Sequence, residues 1–249
     1  MALGWAQKRR FHIIGGAALI VVTLLAGVII AVVYEAPSCS DRKQNQDESG
    51  VDCGGSCAYL CRAEIESPRI VFARAITAPN GRTDVIAYVE NRNQDAESKN
   101  APYTAEIFDA QGRLLGTRQG TIDLPARSVV PVYVPNIGMQ GARAFVTISE
   151  ESMWRLPRDT REPLFPGTPE ILAGEQPRIR AVIENRDVVP SYDRTVIATV
   201  FDSAGNAIAA SRTVLRQVPA QGTAEAVFTW NDPFIDAVRA EVRVVPVLP

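Results

Sequence analysis

The residues whose chemistry is most readable lie close together. Cys39, Cys53, Cys57 and Cys61 are the four cysteines of the chain, and Asp41, Asn45, Asp47, Glu48 and Asp52 stand between the first two. Three chemistries compete for such a cluster. Paired thiols form cystines wherever the surroundings are oxidising. Four thiolates hold zinc, but all-cysteine zinc sites pair two short spacings, and the gap from Cys39 to Cys53 is long. A run of hard oxygen ligands holds calcium, which takes about six to eight oxygens from one flexible loop. Asp41, Asn45, Asp47, Glu48 and Asp52 are candidate calcium ligands on that ground. Against it, the EF-hand order D-x-[DN]-x-[DN]-G is absent, and Arg42 and Lys43 add positive charge. The pair Cys57 and Cys61 is spaced C-x3-C, unlike the C-x-x-C of thioredoxin-type sites.

The same inventory bears on catalysis. The one histidine, His12, sits beside the basic N-terminal stretch, so the region after position 34 has no imidazole for general-base, triad or metal chemistry. Glycoside chemistry needs a cleft holding two acids with opposed pKa values, which small sandwiches with surface acids rarely build. No Gly-rich phosphate loop between strand and helix and no S-x-x-K occurs. The expectation is a protein that is not an enzyme and has no cofactor other than the candidate calcium.

What positions these residues is set first by Ile13 to Val33, a run without a charge. As a helix it is roughly 32 Å long, the thickness of a bilayer core. Lys8, Arg9 and Arg10 precede it, the first acid is Glu35, and basic flanks stay cytoplasmic, so everything after Tyr34 is expected outside. Trp5 and Tyr34 fall at the two interfaces, where amphipathic rings are at home. A cleaved signal peptide has a shorter apolar core and a small-x-small site. Here Tyr34 and Pro37 flank Ala36 instead, and Ala36-Pro37-Ser38 does not fit a lipidated Cys39. The reading is a cytoplasmic tail at 1–12, a retained single-pass span at 13–34 and a cysteine-rich neck at 35–64. An outside location makes two cystines the expected state of the neck, with three connectivities open.

The remainder repeats. Val85-Ile86-Ala87-Tyr88-Val89-Glu90-Asn91-Arg92 matches Ile179 to Arg186 at an offset of 94 (85 to 179), and Ile107 to Gly112 matches Val200 to Gly205 at 93 (107 to 200). Leu124-Pro125-Ala126 matches Val218-Pro219-Ala220 at 94 (124 to 218). The shared offset implies duplication. Val85, Ala87 and Val89, like Val196, Ala198 and Val200, alternate with the period of a half-buried strand. Asp109 to Gly112 and Asp202 to Gly205 read as hairpin turns. The fold class is therefore mainly β: a transmembrane helix, a small cystine-rich neck, and two tandem Ig-like antiparallel sandwiches at 65–149 and 168–249. Between them, 150–167 contains Pro157, Pro163 and Pro166 and reads as a stiff, extended linker. Met153-Trp154 within it is either an exposed partner anchor or, the favoured reading, a place where Trp154 plugs the end of the neighbouring sandwich. Glu90-Asn91-Arg92 and Glu184-Asn185-Arg186 read as strand ends with capped turns rather than as a paired recognition site.

Two resemblances attach to these residues. The turns Asp109 to Gly112 and Asp202 to Gly205, each after an apolar pair, resemble FxLYD-type and related Ig-like domains of bacterial envelope proteins, over both copies. The run from Cys39 to Cys57 resembles the extracellular C-x-D-G-x-x-N-G-x-E-x-G-x-D-C-G-G-x-C module of single-pass envelope proteins, with Arg42 and Gln46 in place of its glycines and three residues, not two, before Cys61. That resemblance implies a disulfide knot beside the membrane. With 26 basic and 28 acidic residues interspersed and a formal net charge of −2, no basic face for nucleic acid is visible. The expected role is a membrane-anchored, extracytoplasmic protein presenting two Ig-like modules to a protein partner in the envelope or on a cell surface. The alternative is an accessory subunit of a secretion, pilus or wall-synthesis assembly whose helix makes the contact, a reading to which Gly15, Gly16 and Gly27 lend small-residue surface.

Overall fold

The computed structural model describes residues 5–33, 38–45, 47–138, 140–158 and 164–249. Tyr34, Glu35, Gln46 and Pro163, on which parts of the reading above rest, lie outside them.

Helix α1 spans Trp5–Val33, beginning well before the expected start at 13. Nothing in Trp5 to His12 breaks a helix, and Ala, Gln, Lys and Arg propagate one, so the basic segment is its first turns rather than a loose tail. Its apolar part, Arg9–Ile30, has a mean hydropathy of 2.8 and none of it is buried against the rest of the protein. It is long and apolar enough to cross a membrane.

The remaining architecture is antiparallel β. The first unit has β1 (Arg69–Thr77), β2 (Thr83–Asn91), β3 (Ser98–Phe108), β4 (Leu114–Leu124), β5 (Ser128–Ile137) and β6 (Arg143–Ile148), forming sheets ordered β1-β2-β5 and β4-β3-β6. The second has β7 (Leu164–Pro166), β8 (Glu170–Leu172), β9 (Arg178–Asn185), β10 (Ser191–Asp202), β11 (Ala207–Val218), β12 (Thr223–Thr229) and β13 (Ala237–Val244). Its sheets are ordered β7-β9-β12, with β8 also pairing β9, and β11-β10-β13. Strand for strand the order is that of the first unit. Val85, Ala87, Val89, Ile107 and Leu124 fill one sandwich; Ile179, Ile183, Val196, Val200 and Phe228 fill the other.

Two expectations are corrected. The alternation in β2 and β10 points to strands with one wet face, yet Ile86 and Tyr88 in β2 and Ile197 and Phe201 in β10 are buried as well. These second faces meet: the sheet β1-β2-β5 packs flat against β11-β10-β13. Phe72 lies 4.7 Å from Tyr88 and 6.1 Å from Phe201 between ring centroids, and the Tyr88 hydroxyl donates to Thr199 Oγ1 at 3.2 Å. The Arg243 guanidinium sits 5.0 Å above the Tyr88 ring and donates to the Val129 carbonyl. Burial pushes the Tyr88 phenol above its ordinary pKa. The units are thus stacked side by side in four layers, not strung end to end.

The linker at 150–167 is the second correction. Trp154 is 2% exposed in the first core, and Leu164–Pro166 is already strand β7 of the second sandwich, so neither end is a free connector. Short reach explains this: a chain whose sandwiches touch along a whole sheet needs little link between them. Phe201→Ala, which empties the middle of the seam, is expected to cost about 3–5 kcal/mol in chemical denaturation and to split one unfolding transition into two.

Candidate functional site

The neck is built by two interleaved cystines, Cys39–Cys57 with Cα atoms 5.6 Å apart and Cys53–Cys61 at 4.9 Å. Loops of this size contribute about 3 kcal/mol each in the chain-entropy account, which matters where no core of its own holds 38–61 together. Gly50 and Cys53 form a one-pair bridge whose tip puts Asp52 at φ 56. Gly55 is at φ 56, and a Cβ there would lie 2.1 Å from the Asp47 carbonyl oxygen, so only glycine closes this turn.

Each candidate calcium ligand has a separate task. The Asp41 carboxylate accepts from Asn45 Nδ2 at 2.8 Å, Lys43 N at 2.9 Å and Ser38 N at 3.2 Å, and the Asn45 amide foremost holds it below the usual carboxylate range. Asp47 accepts from the Ser56 hydroxyl at 2.8 Å, which lowers its pKa too. Asp52 takes the backbone N–H of Arg42 on both oxygens. Glu48 is buried and takes the N–H groups of Asn45 and Asp52. Depressed pKa values mean that the stability these two aspartates lend is present above pH 3.8 and is lost as pH falls below it.

Among the described residues no three carboxylates lie within 4.8 Å of one another; the one group at that spacing is Cys39, Glu48 and Cys57. Both its sulfurs are spent in a cystine and have no lone-pair charge to offer a metal, so Glu48 Oε1 at 3.1 Å from Cys57 Sγ is a packing contact. The four carboxylates brace turns, whereas Asn45 Oδ1 is buried without a hydrogen-bond partner among the described residues, so the five candidate ligands are not gathered as one ready-made cage.

The neck is hooked to the first sandwich. Leu60 N donates to the Trp154 carbonyl at 2.8 Å, and Leu60 and Ile65 pack on the first core. Tyr59 bridges Arg155, which also pairs through its backbone with Glu97 on both sides, at 2.9 and 3.0 Å. The Arg155 side chain then donates Nε to Glu97 Oε1 at 2.9 Å and Nη2 to the Pro249 carbonyl at 2.7 Å. One residue thereby joins neck, first unit and the segment after β13. No local signal announces this pair.

The repeated Glu-Asn-Arg triplets are structural. Asn91 is buried and donates to the carbonyls of Ala96 and Pro125 at 2.8 Å, while its Oδ1 accepts from Asn93 N. Asn185 repeats this with Val189, Val218 and Asp187 N. Arg92 pairs with Glu90, and Arg186 with Glu184 while covering the Phe165 ring at 4.2 Å.

No protein-family model matches the chain, and no curated protein matches it in sequence. Among solved structures it is similar to a β-glucuronidase from glycoside hydrolase family 2, at 14% identity and a TM-score of 0.24 over 78% of this chain and 25% of that one. A putative β-galactosidase from Bacteroides fragilis gives 10% and 0.20 over 70% and 34%, and red sea bream transglutaminase 15% and 0.22 over 74% and 32%. The chain spans between a quarter and about a third of the length of these proteins, and superposition this poor carries nothing about chemistry.

Gly55→Ala is expected to leave free thiols in the oxidised protein, because the turn that brings Cys53 and Cys57 to their partners no longer closes. Thiol titration without reductant checks it.

Proposed function

We propose that this is a non-catalytic, membrane-anchored protein that holds a rigid pair of Ig-like sandwiches against the extracytoplasmic side of a membrane and offers them to a protein partner of the envelope or cell surface. The observation that carries the reading is the hook between neck and sandwich: two cystines, the Leu60–Trp154 hydrogen bond and the Arg155–Glu97 pair make the stalk continuous with the β body. Such coupling is useful where position relative to a membrane matters and is idle in a free-floating domain. The neck's resemblance to modules of single-pass envelope proteins supports the same reading. So do the basic residues before the span, and the common strand order at a shared sequence offset supports two copies of one ancestral unit. His12 lies within α1, and the neck carboxylates are engaged in turns, which leaves them poorly placed for acid–base work.

A second reading, an accessory subunit of a membrane assembly, draws on the helix. Gly15, Gly16 and Gly27 each have open space where a Cβ would stand, so nothing among the described residues uses their smallness and a neighbouring helix is what would.

One experiment separates the two. A reporter after Pro249 is expected to be active only outside the cytoplasm. A partner recovered by mild crosslinking is expected to survive replacement of Ile13 to Val33 by an unrelated apolar helix. Loss of the partner on that swap favours the accessory subunit, and cytoplasmic reporter activity overturns both.

A further inference from the structure

The two sandwiches carry the same loop at the same end, finished differently. In the first, buried Asn91 pins Ala96, which belongs to the same core as Trp154 and is 3% exposed. In the second, Asn185 pins Val189 in the same way, yet Val189 is 59% exposed and Val188 is 75% exposed. Pro190 follows, without an N–H, so the strand pairing that Glu97 makes with Arg155 has no counterpart there. Tyr192 is likewise exposed.

These loops are neighbours. Gln94 and Glu97 of one and Asp187 of the other line a single cleft, and Glu97 pairs with Arg155, which bridges Tyr59 of the neck, so both loops lie at the end that bears the neck. Tyr59, Met153 and Leu156 are exposed around the hook at that same end. Scattered exposed apolar residues need no explanation, but six at one end of a side-by-side pair make a surface.

Chain length limits how far this end can stand from the membrane. From Val33, the end of α1, to Cys39 is a tether of roughly 20 Å at most, and Cys57 is bonded to Cys39 with a Cα separation of 5.6 Å. Tyr59 follows two residues later. We propose that this end of the body rests on the outer face of the bilayer, with Val188, Val189 and Tyr192 of the second unit and Tyr59, Met153 and Leu156 beside the neck entering the headgroup region. The inference rests on the membrane-anchor reading above. Tyrosines among aliphatic side chains suit that layer, where a ring can lie in apolar surroundings with its hydroxyl wet. Beside Tyr59 and Met153 stand charges of both signs, Arg62 with Glu150 and Glu151, so the surface asks for no particular headgroup charge. A tethered surface also meets the bilayer at high effective concentration, so modest apolar area suffices.

The full chain reconstituted in phosphatidylcholine nanodiscs containing a phosphatidylcholine with a photoactivatable group near the glycerol tests this. Mass spectrometry is expected to find lipid adducts in α1 and also in 153–156 and 187–192. In a V188S/V189S variant, whose melting should be unchanged because both side chains are exposed, the adducts at 187–192 fall to background while those in α1 persist. Adducts confined to α1 overturn the inference and leave the anchor standing; adducts nowhere, α1 included, overturn both. Protein–protein crosslinks between 187–192 of two copies in place of lipid adducts would assign the surface to self-association and equally overturn it.

Discussion

Glu97 is 1% exposed, and a carboxylate that deep is tolerable only with its charge met. Arg155 meets it, itself nearly buried, and the two also exchange both backbone hydrogen bonds. Removing one partner of such a pair costs about 3–5 kcal/mol, mostly from the charge left behind, so the segment carrying Arg155 is held where it is. That placement decides much else. It sets Trp154 into the end of the first core, presents the Trp154 carbonyl to Leu60, lays Tyr59 alongside, and gives the Pro249 carbonyl a donor. Neck, first sandwich and the segment after β13 are registered through one guanidinium.

The sheet-to-sheet seam supplies the other half of the rigidity. Its centre is buried and aromatic, and hydrogen bonds cross it, Tyr88 to Thr199 and Arg74 to Asn206 among them. Leu248, buried, donates its N–H to Asp123 of β4 and so ties the segment after β13 to the outer sheet of the first unit. A hinge between the units would have to open a face of packed rings and break these polar contacts together. The body is therefore expected to move as one piece on its cystine-braced stalk.

Much of this was legible in the residues and some was not, for reasons of sequence distance. The helix announces itself through composition, and the hairpins through Asp109 and Asp202, whose carboxylates accept from their own turn's backbone. Alternation found the inner faces of β2 and β10. It missed the seam because Ile86, Tyr88, Ile197 and Phe201 occupy the other parity; the apolar run Val85–Val89, and Val196–Phe201 broken only by Thr199, were the available sign of strands buried on both sides. The cysteine cluster was legible as a cluster, but whether Asp41, Asp47, Glu48 and Asp52 converge depends on turn geometry that composition does not carry. Glu97 and Arg155 stand 58 positions apart with nothing local to link them.

The central claim is that stalk and sandwiches form one body through the Glu97–Arg155 pair. Native-state hydrogen exchange on the full chain measures it directly. The amides of Leu60, Glu97 and Arg155, all hydrogen-bonded across this junction, are predicted to exchange as slowly as those of β2 and β10. Exchange at the rate of an open loop, with the sandwich cores still protected, would show that the neck is merely tethered to the body and contradict the account.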